Sequence, residues 1–116
     1  MNKDQKKQQE VINYVARNLY DMAYTELEKK RLAERVVWKK LRSCTAECCE
    51  TENYYILRSY NTIVAVIEKG SDILADVLRY VYGYTSTSAQ HISKFRHDYG
   101  ADKWGCRIEY RYYPVN

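Results

Sequence analysis

"YYILRSYNTIVAVIEKG", residues 54–70, decides how this chain folds. Its period is two. Residues 54–60 read as one strand, residues 61–70 as a second, with Ser59 to Asn61 as the bend between them. In the second strand Ile63, Ala65 and Ile67 point one way, and Val64 and Val66 the other. A strand that is apolar on both faces is buried on both. The sheet is therefore expected to be covered on one side by a helix over 88–99 and on the other by an N-terminal helical hairpin, or by a partner.

Downstream, "VLRYVYGY" (77–84) reads as a third strand, because β-branched and aromatic residues favour extended backbone. "SDILADVLRYV" would also suit a helix opened by Ser71 or Asp72. "CRIEYRYY" (106–113) reads as a fourth strand, ended by Pro114. Its Ile108, Tyr110 and Tyr112 share one side; Arg107, Glu109, Arg111 and Tyr113 share a side that should be wet. Between these strands, residues 88–99 form a short helix. Thr87 and Gln90 make a capping box for it, Ile92, Phe95 and Tyr99 its apolar stripe, and Gly100 its stop. The hydroxyl run "TSTS" is where strand hands over to helix, with side chains able to satisfy the first free N–H groups.

Upstream, Ile12, Val15, Leu19 and Met22 repeat at helical spacing and predict a helix over 4–22. A second is predicted over 25–43, opened by the capping box of Thr25 and Glu28. Leu32, Ala33, Val36, Val37 and Leu41 share one arc of it, and Arg31, Arg35, Lys39 and Arg42 another. The short "AYT" link makes the two helices a hairpin. The expected fold class is α+β: an N-terminal helical hairpin, then a roughly four-stranded antiparallel sheet with one helix inserted before the last strand. The chain reads as a single domain over 1–116, with the hairpin in 1–43, a Cys-containing loop in 44–53, and sheet plus helix in 54–116.

At 116 residues the chain can bury a core without disulfides or metal. Its net charge is +4. Residues 1–52 hold 11 Lys/Arg against 9 Asp/Glu, and residues 53–116 hold 8 against 6, so no tail or block is expected to carry the excess. No apolar run is long enough to span a membrane. "MNKDQKKQQE" lacks the apolar core of a signal peptide, which predicts a cytoplasmic protein with reduced thiols.

Cys44, Cys48 and Cys49 crowd one segment, with Cys106 far along the chain. A zinc site wants two pairs of ligands at short gaps; this C-x3-C-C cluster has no second pair, so no metal is expected. His91 and His97 fall on opposite faces of their helix and cannot act as a pair. No Ser or Cys nucleophile is placed beside them by sequence, and catalysis would need the fold to bring Cys48 or Cys49 to one of them. Phosphate loops, paired catalytic carboxylates and hydrolase elbows do not occur. No catalytic residue, no cofactor and no enzymatic activity are expected.

The outlier is tyrosine, 13 against one Phe, ten of them after residue 52. Tyr has a broad apolar body and a polar tip, suited to half-buried strands and to interfaces. Arginines interleave with the tyrosines, a composition shared by protein hot spots and by platforms that stack single-stranded nucleic acid. The expected contact residues for a protein partner are Tyr82, Tyr84, Arg107, Arg111 and Tyr113. For nucleic acid they are Arg31, Arg35, Lys39 and Arg42, one phosphate each.

The stretches "LRSYNTIVAVIEKG" and "YVYGYTSTSAQHISKF" resemble a small domain met in uncharacterised proteins of phages and mobile elements of Gram-positive bacteria. The recognisable parts are the "SY-T-VA-I" strand and the "Y-TS-QHI--F" handover, covering about residues 55–100. The likeness has no known active site and transfers no catalytic residue. It implies a mobile-element origin. By analogy with small non-enzymatic proteins of such elements, it implies an inhibitor of a host defence complex: an anti-CRISPR that binds a Cas nuclease, its guide RNA or target DNA. A basic chain would not act as an acidic mimic of DNA. The alternative is a nucleic-acid-binding accessory or regulatory protein of the element. A last strand at the sheet edge, guarded by alternating Arg and Glu, predicts a monomer or a weak homodimer.

Overall fold

The computed structural model describes residues 1–102 and 105–115. Helix α1 runs over Lys3–Leu32. Strands β1 (Lys39–Lys40), β2 (Glu47–Glu50), β3 (Tyr54–Ser59), β4 (Thr62–Glu68) and β5 (Ile73–Asp76) follow. Then come a one-turn helix α2 (Leu78–Val81), helix α3 (Ser86–Tyr99) and strand β6 (Ile108–Arg111). The six strands lie in one sheet in chain order. Among the described residues, no helix is long and apolar enough to cross a membrane.

The sheet is covered on both faces, as the apolar β4 requires. On one face, Ala16, Leu19, Ala23 and Leu27 of α1 pack on Cys49, Tyr54, Ile56, Val66, Ala75 and Val77. On the other, Ile92 and Phe95 of α3 pack on Cys48, Leu57, Val64, Ala65, Ile67 and Leu74.

The α+β class holds, but the expected hairpin of helices is a single helix. "AYT" contains nothing that stops a helix, and Ala23 and Leu27 carry the buried stripe straight through it. Thr25 is no N-cap: its hydroxyl donates to the carbonyl of Asp21 at 2.9 Å, one turn back. The working capping box is at Asn2 and Gln5, which exchange bonds of 2.8 and 3.0 Å.

The helix stops at Leu32 through a left-handed turn. Glu34 has φ 56. Its N–H bonds the Arg31 carbonyl at 2.9 Å, and the Arg35 N–H bonds the Lys30 carbonyl at 3.1 Å. This is the Schellman pattern, with Glu in the place usually held by Gly. Residues 33–43 are therefore not helical: the chain doubles back, pairs β1 with β2, and buries Leu41. The expected cysteine loop contains β2, held between β1 and β3.

Tyr60 and Asn61 both have positive φ, 51 and 65, the backbone of a tight type I′ hairpin turn. A β-bulge shifts the β3–β4 register: Leu57 pairs with Ala65 but Arg58 with Ile63, leaving Val64 unpaired. Val64 and Ala65 consequently join the same core as Ile67, while Ile63 and Val66 join the other. The simple alternation expected from period two is broken at that point.

The expected third strand from Val77 does not form. The strand ends at Asp76, whose carboxylate accepts the Leu78 N–H at 3.1 Å and turns the chain into α2. The N-cap of α3 is Thr85, accepting from the Ser88 N–H at 3.1 Å; Thr87 lies inside the helix. The crossover through α2 and α3 brings β6 back parallel to β5, so the sheet is not wholly antiparallel.

Candidate functional site: the tyrosine–arginine face

The failed strand at 77–84 creates the most distinctive surface of the molecule. Leu78 anchors α2 in the core, and Gly83, with φ 109, turns the chain outward. Arg79 then lies between two rings. Its guanidinium sits 4.7 Å from the Tyr84 centroid and 4.5 Å from that of Tyr113, both within cation–π range. Arg111 donates to the Tyr113 hydroxyl at 3.5 Å and pairs with Asp76 at 3.2 Å. Tyr80 meets Tyr112 at 5.0 Å, and Arg17 of α1 lies 5.9 Å from the Tyr80 ring.

The chain end is pinned under this cluster. Asn13 of α1 donates to the Tyr113 carbonyl at 2.6 Å and accepts its N–H at 3.0 Å. Gln9 donates to the Arg111 carbonyl at 2.9 Å. The two amides occupy edge groups of β6 that a further strand would use. The Tyr113 phenol is held below its usual range, chiefly by the hydrogen bond from Arg111. Burial raises the Asp76 carboxyl, against the pull of the Leu78 N–H and of Arg111.

Of the residues expected to contact a protein partner, Tyr84, Arg111 and Tyr113 are brought together. Tyr82 lies two residues before Tyr84 and is 55% exposed, and Tyr84 is 59% exposed. Arg107 is left out. It lies at the opposite end of β6, its N–H bonded to Asp72 at 2.7 Å, about 13 Å of strand from Arg111. Arg79, Tyr80, Tyr112 and Arg17 complete the face without having been singled out. The interleaving of Arg with Tyr in the sequence covers Arg79, Tyr80 and Tyr112 only in general; Arg17 is a long-range contact that no local pattern encodes.

The supposed basic arc does not exist as one face. Arg31 ends α1 and pairs with Glu28 at 3.2 Å. Arg42 sits in a turn with φ 56 and grips Asp98 through two bonds of 2.9 and 2.7 Å. Arg35 and Lys39 lie on the returning segment, on a cleft described below. An ideal helix over 25–43 would have aligned all four; the stop at Leu32 separates them.

His91 has found a serine that its sequence neighbourhood did not reveal. Its Nδ1 lies 2.9 Å from the Ser59 hydroxyl, which lies 3.0 Å from that of Ser88. All three are buried, Ser59 at 2% and His91 at 3% exposure, and burial depresses the His91 pKa. This node ties the β3–β4 turn to the start of α3, joining "SYNT" to "TSTSAQH". A Ser–His pair can in principle activate an oxygen, but here it is packed under Tyr60, whose ring lies 6.1 Å from the imidazole. His97 faces the other way and meets Asp98 and Arg42.

Cys48 and Cys49 occupy successive strand positions and enter opposite cores. Burial pushes their thiols up to about 12 and about 11, so neither is a thiolate at neutral pH. Among the described residues, no three His, Cys, Asp or Glu side chains are grouped to hold a metal ion. No family model, curated protein or solved structure matches this chain.

Proposed function

We propose that this protein works by binding, as a non-enzymatic product of a phage or mobile element that docks its tyrosine–arginine face on a host defence complex. The observation that carries this reading is the caging of Arg79 between Tyr84 and Tyr113 on an exposed edge. Tyr and Arg dominate protein hot spots because they give large contact area and directed hydrogen bonds at low entropic cost. Here the rings are ordered before any partner arrives, which lowers the cost of binding. The class of partner, a CRISPR–Cas effector, comes from the resemblance carried by "SYNTIVAVI" and "YGYTSTSAQHISKF". Affinity purification of the tagged protein from a Gram-positive host with an active CRISPR–Cas system tests it. The expected result is an effector complex recovered in near-equal amount and lost with Arg79→Asp. Recovery of no defence component would remove the proposal's basis.

A further inference from the structure

Halving the chain at residue 52 hides where its charge lies. Residues 29–42, "KKRLAERVVWKKLR", carry seven Lys/Arg against Glu34 alone. The other 102 residues carry 12 against 14, so this one segment supplies the whole positive excess. The structure folds it on itself. The left-handed Glu34 turns the chain back so that Lys30, Arg35 and Lys39 line one cleft of about 280 Å³, with Val37, Cys48, Cys49 and Tyr99 between them. Arg31 and Arg42 are neutralised by Glu28 and Asp98. Among the described residues, Arg35, Lys39 and Lys40 pair with no carboxylate. Glu50, the cleft's one acid, is held by Lys69 at 2.6 Å, and Lys30 is steadied by the Glu50 carbonyl at 2.5 Å. An adjoining cleft shares Lys30 and Arg35 and adds Lys29, but also Glu26, which accepts from Asn53, and Glu52, so the cationic track is the first cleft.

We infer that this cleft binds the phosphates of a single-stranded nucleic acid. Separate cations along a concave track match successive phosphodiesters. Rings decide for a strand over an acidic peptide or a lipid surface. Trp38 turns to the other side of the same segment, into a recess with Tyr20, Tyr24, Arg31 and Arg58, where the Arg58 guanidinium already lies 3.8 Å from the centre of its ring and Tyr24 remains 41% exposed. The ring open to a base is Tyr24, on the far side of the segment that carries the phosphate-binding cations. The site is separate from the tyrosine–arginine face and does not depend on it.

Fluorescence anisotropy with labelled 20-nucleotide RNA and DNA strands tests the inference. Three phosphate contacts on a single strand predict a log–log salt slope of about −2, a loss of about 16-fold between 50 and 200 mM salt. Arg35→Glu with Lys39→Glu should cut affinity more than tenfold and flatten that slope. Arg35→Gln with Lys39→Gln should give an intermediate loss with an unchanged melting temperature. Tyr84→Ala with Tyr113→Ala should leave binding intact. A preference for RNA over DNA, or the reverse, identifies the source of the strand. Three results would overturn the inference: no binding of either strand at 20 mM salt, undiminished binding by the Glu variant, or binding of vesicles containing phosphatidylserine in place of both strands.

Discussion

At the scale of single residues, Asn13 and His91 carry more of the structure than their types suggest. Asn13 is buried on α1 and accepts from Gln9 at 2.8 Å while bonding both backbone groups of Tyr113. Asn13→Ala removes these part-buried bonds and leaves the Tyr113 backbone groups to water, so it should cost about 1–2 kcal/mol in urea denaturation. It should also free the chain end, seen as early amide exchange at Tyr113. His91 makes a pH prediction. Burial holds its folded pKa below the unfolded value of about 6.5, so the unfolded state takes the proton first. Stability should be complete above that value and fall as pH drops through and below it. The Asp98 and Glu50 carboxylates, held low by Arg42 and Lys69, add their own loss only at more acid pH. His91→Asn should flatten the melting temperature between pH 5 and 7; a slope as steep as wild type would assign the effect elsewhere. Neither role was legible beforehand. Asn13 acts on a residue 100 positions away, and His91 on a serine 32 positions away.

At the scale of elements, the sequence was clearest where burial dictates pattern and least clear where a helix ends. The two strands of 54–70, the helix expected over 88–99 and the two-sided cover all follow from apolar periodicity. Helix ends are written in one or two residues, and here they mislead. Thr25 and Glu28 imitate a capping box inside a continuous helix, while the true stop uses Glu34 in a conformation normally given to Gly. A left-handed non-glycine costs roughly 1–2 kcal/mol, offset in part by the greater unfolded entropy of Gly. Glu34→Gly should therefore raise stability by about 0.5–1 kcal/mol in denaturant titration, with the fold unchanged. A loss would contradict the Schellman assignment. Gly100 behaves differently: it ends α3 with extended backbone, φ −69. A Cβ there would lie 2.2 Å from the Gly105 carbonyl oxygen and 2.6 Å from that of Arg96. Gly100→Ala must push backbone aside and should cost about 1–3 kcal/mol.

At the scale of the molecule, one misread element changes the surface. Had 77–84 continued the sheet, Tyr80, Tyr82 and Tyr84 would have lined one face of it. The turn at Asp76 throws them outward instead, and the parallel return of β6 brings Tyr112 and Tyr113 to meet them. Of the face, the tyrosine count and the residues Tyr84, Arg111 and Tyr113 were legible; the crossover that assembles them was not, because parallel pairing depends on contacts distant in sequence. The same arrangement bears on assembly. In the ladder, Ile108 and Tyr112 direct their N–H groups to β5, so residues 109, 111 and 113 turn theirs outward. Gln9 and Asn13 already occupy part of that edge. Light scattering at micromolar concentration should find a monomer. A stable dimer that separates on Arg111→Glu would show the edge to be open after all. The central claim, that the tyrosine–arginine face engages a host defence complex, is tested most directly by plasmid interference in a Gram-positive host with an active CRISPR–Cas system. Wild-type protein should suppress interference, and the Arg79→Asp/Tyr84→Ala/Tyr113→Ala variant, folded to the same degree, should restore it. Full interference in the presence of abundant wild-type protein, or equal suppression by the variant, would contradict it.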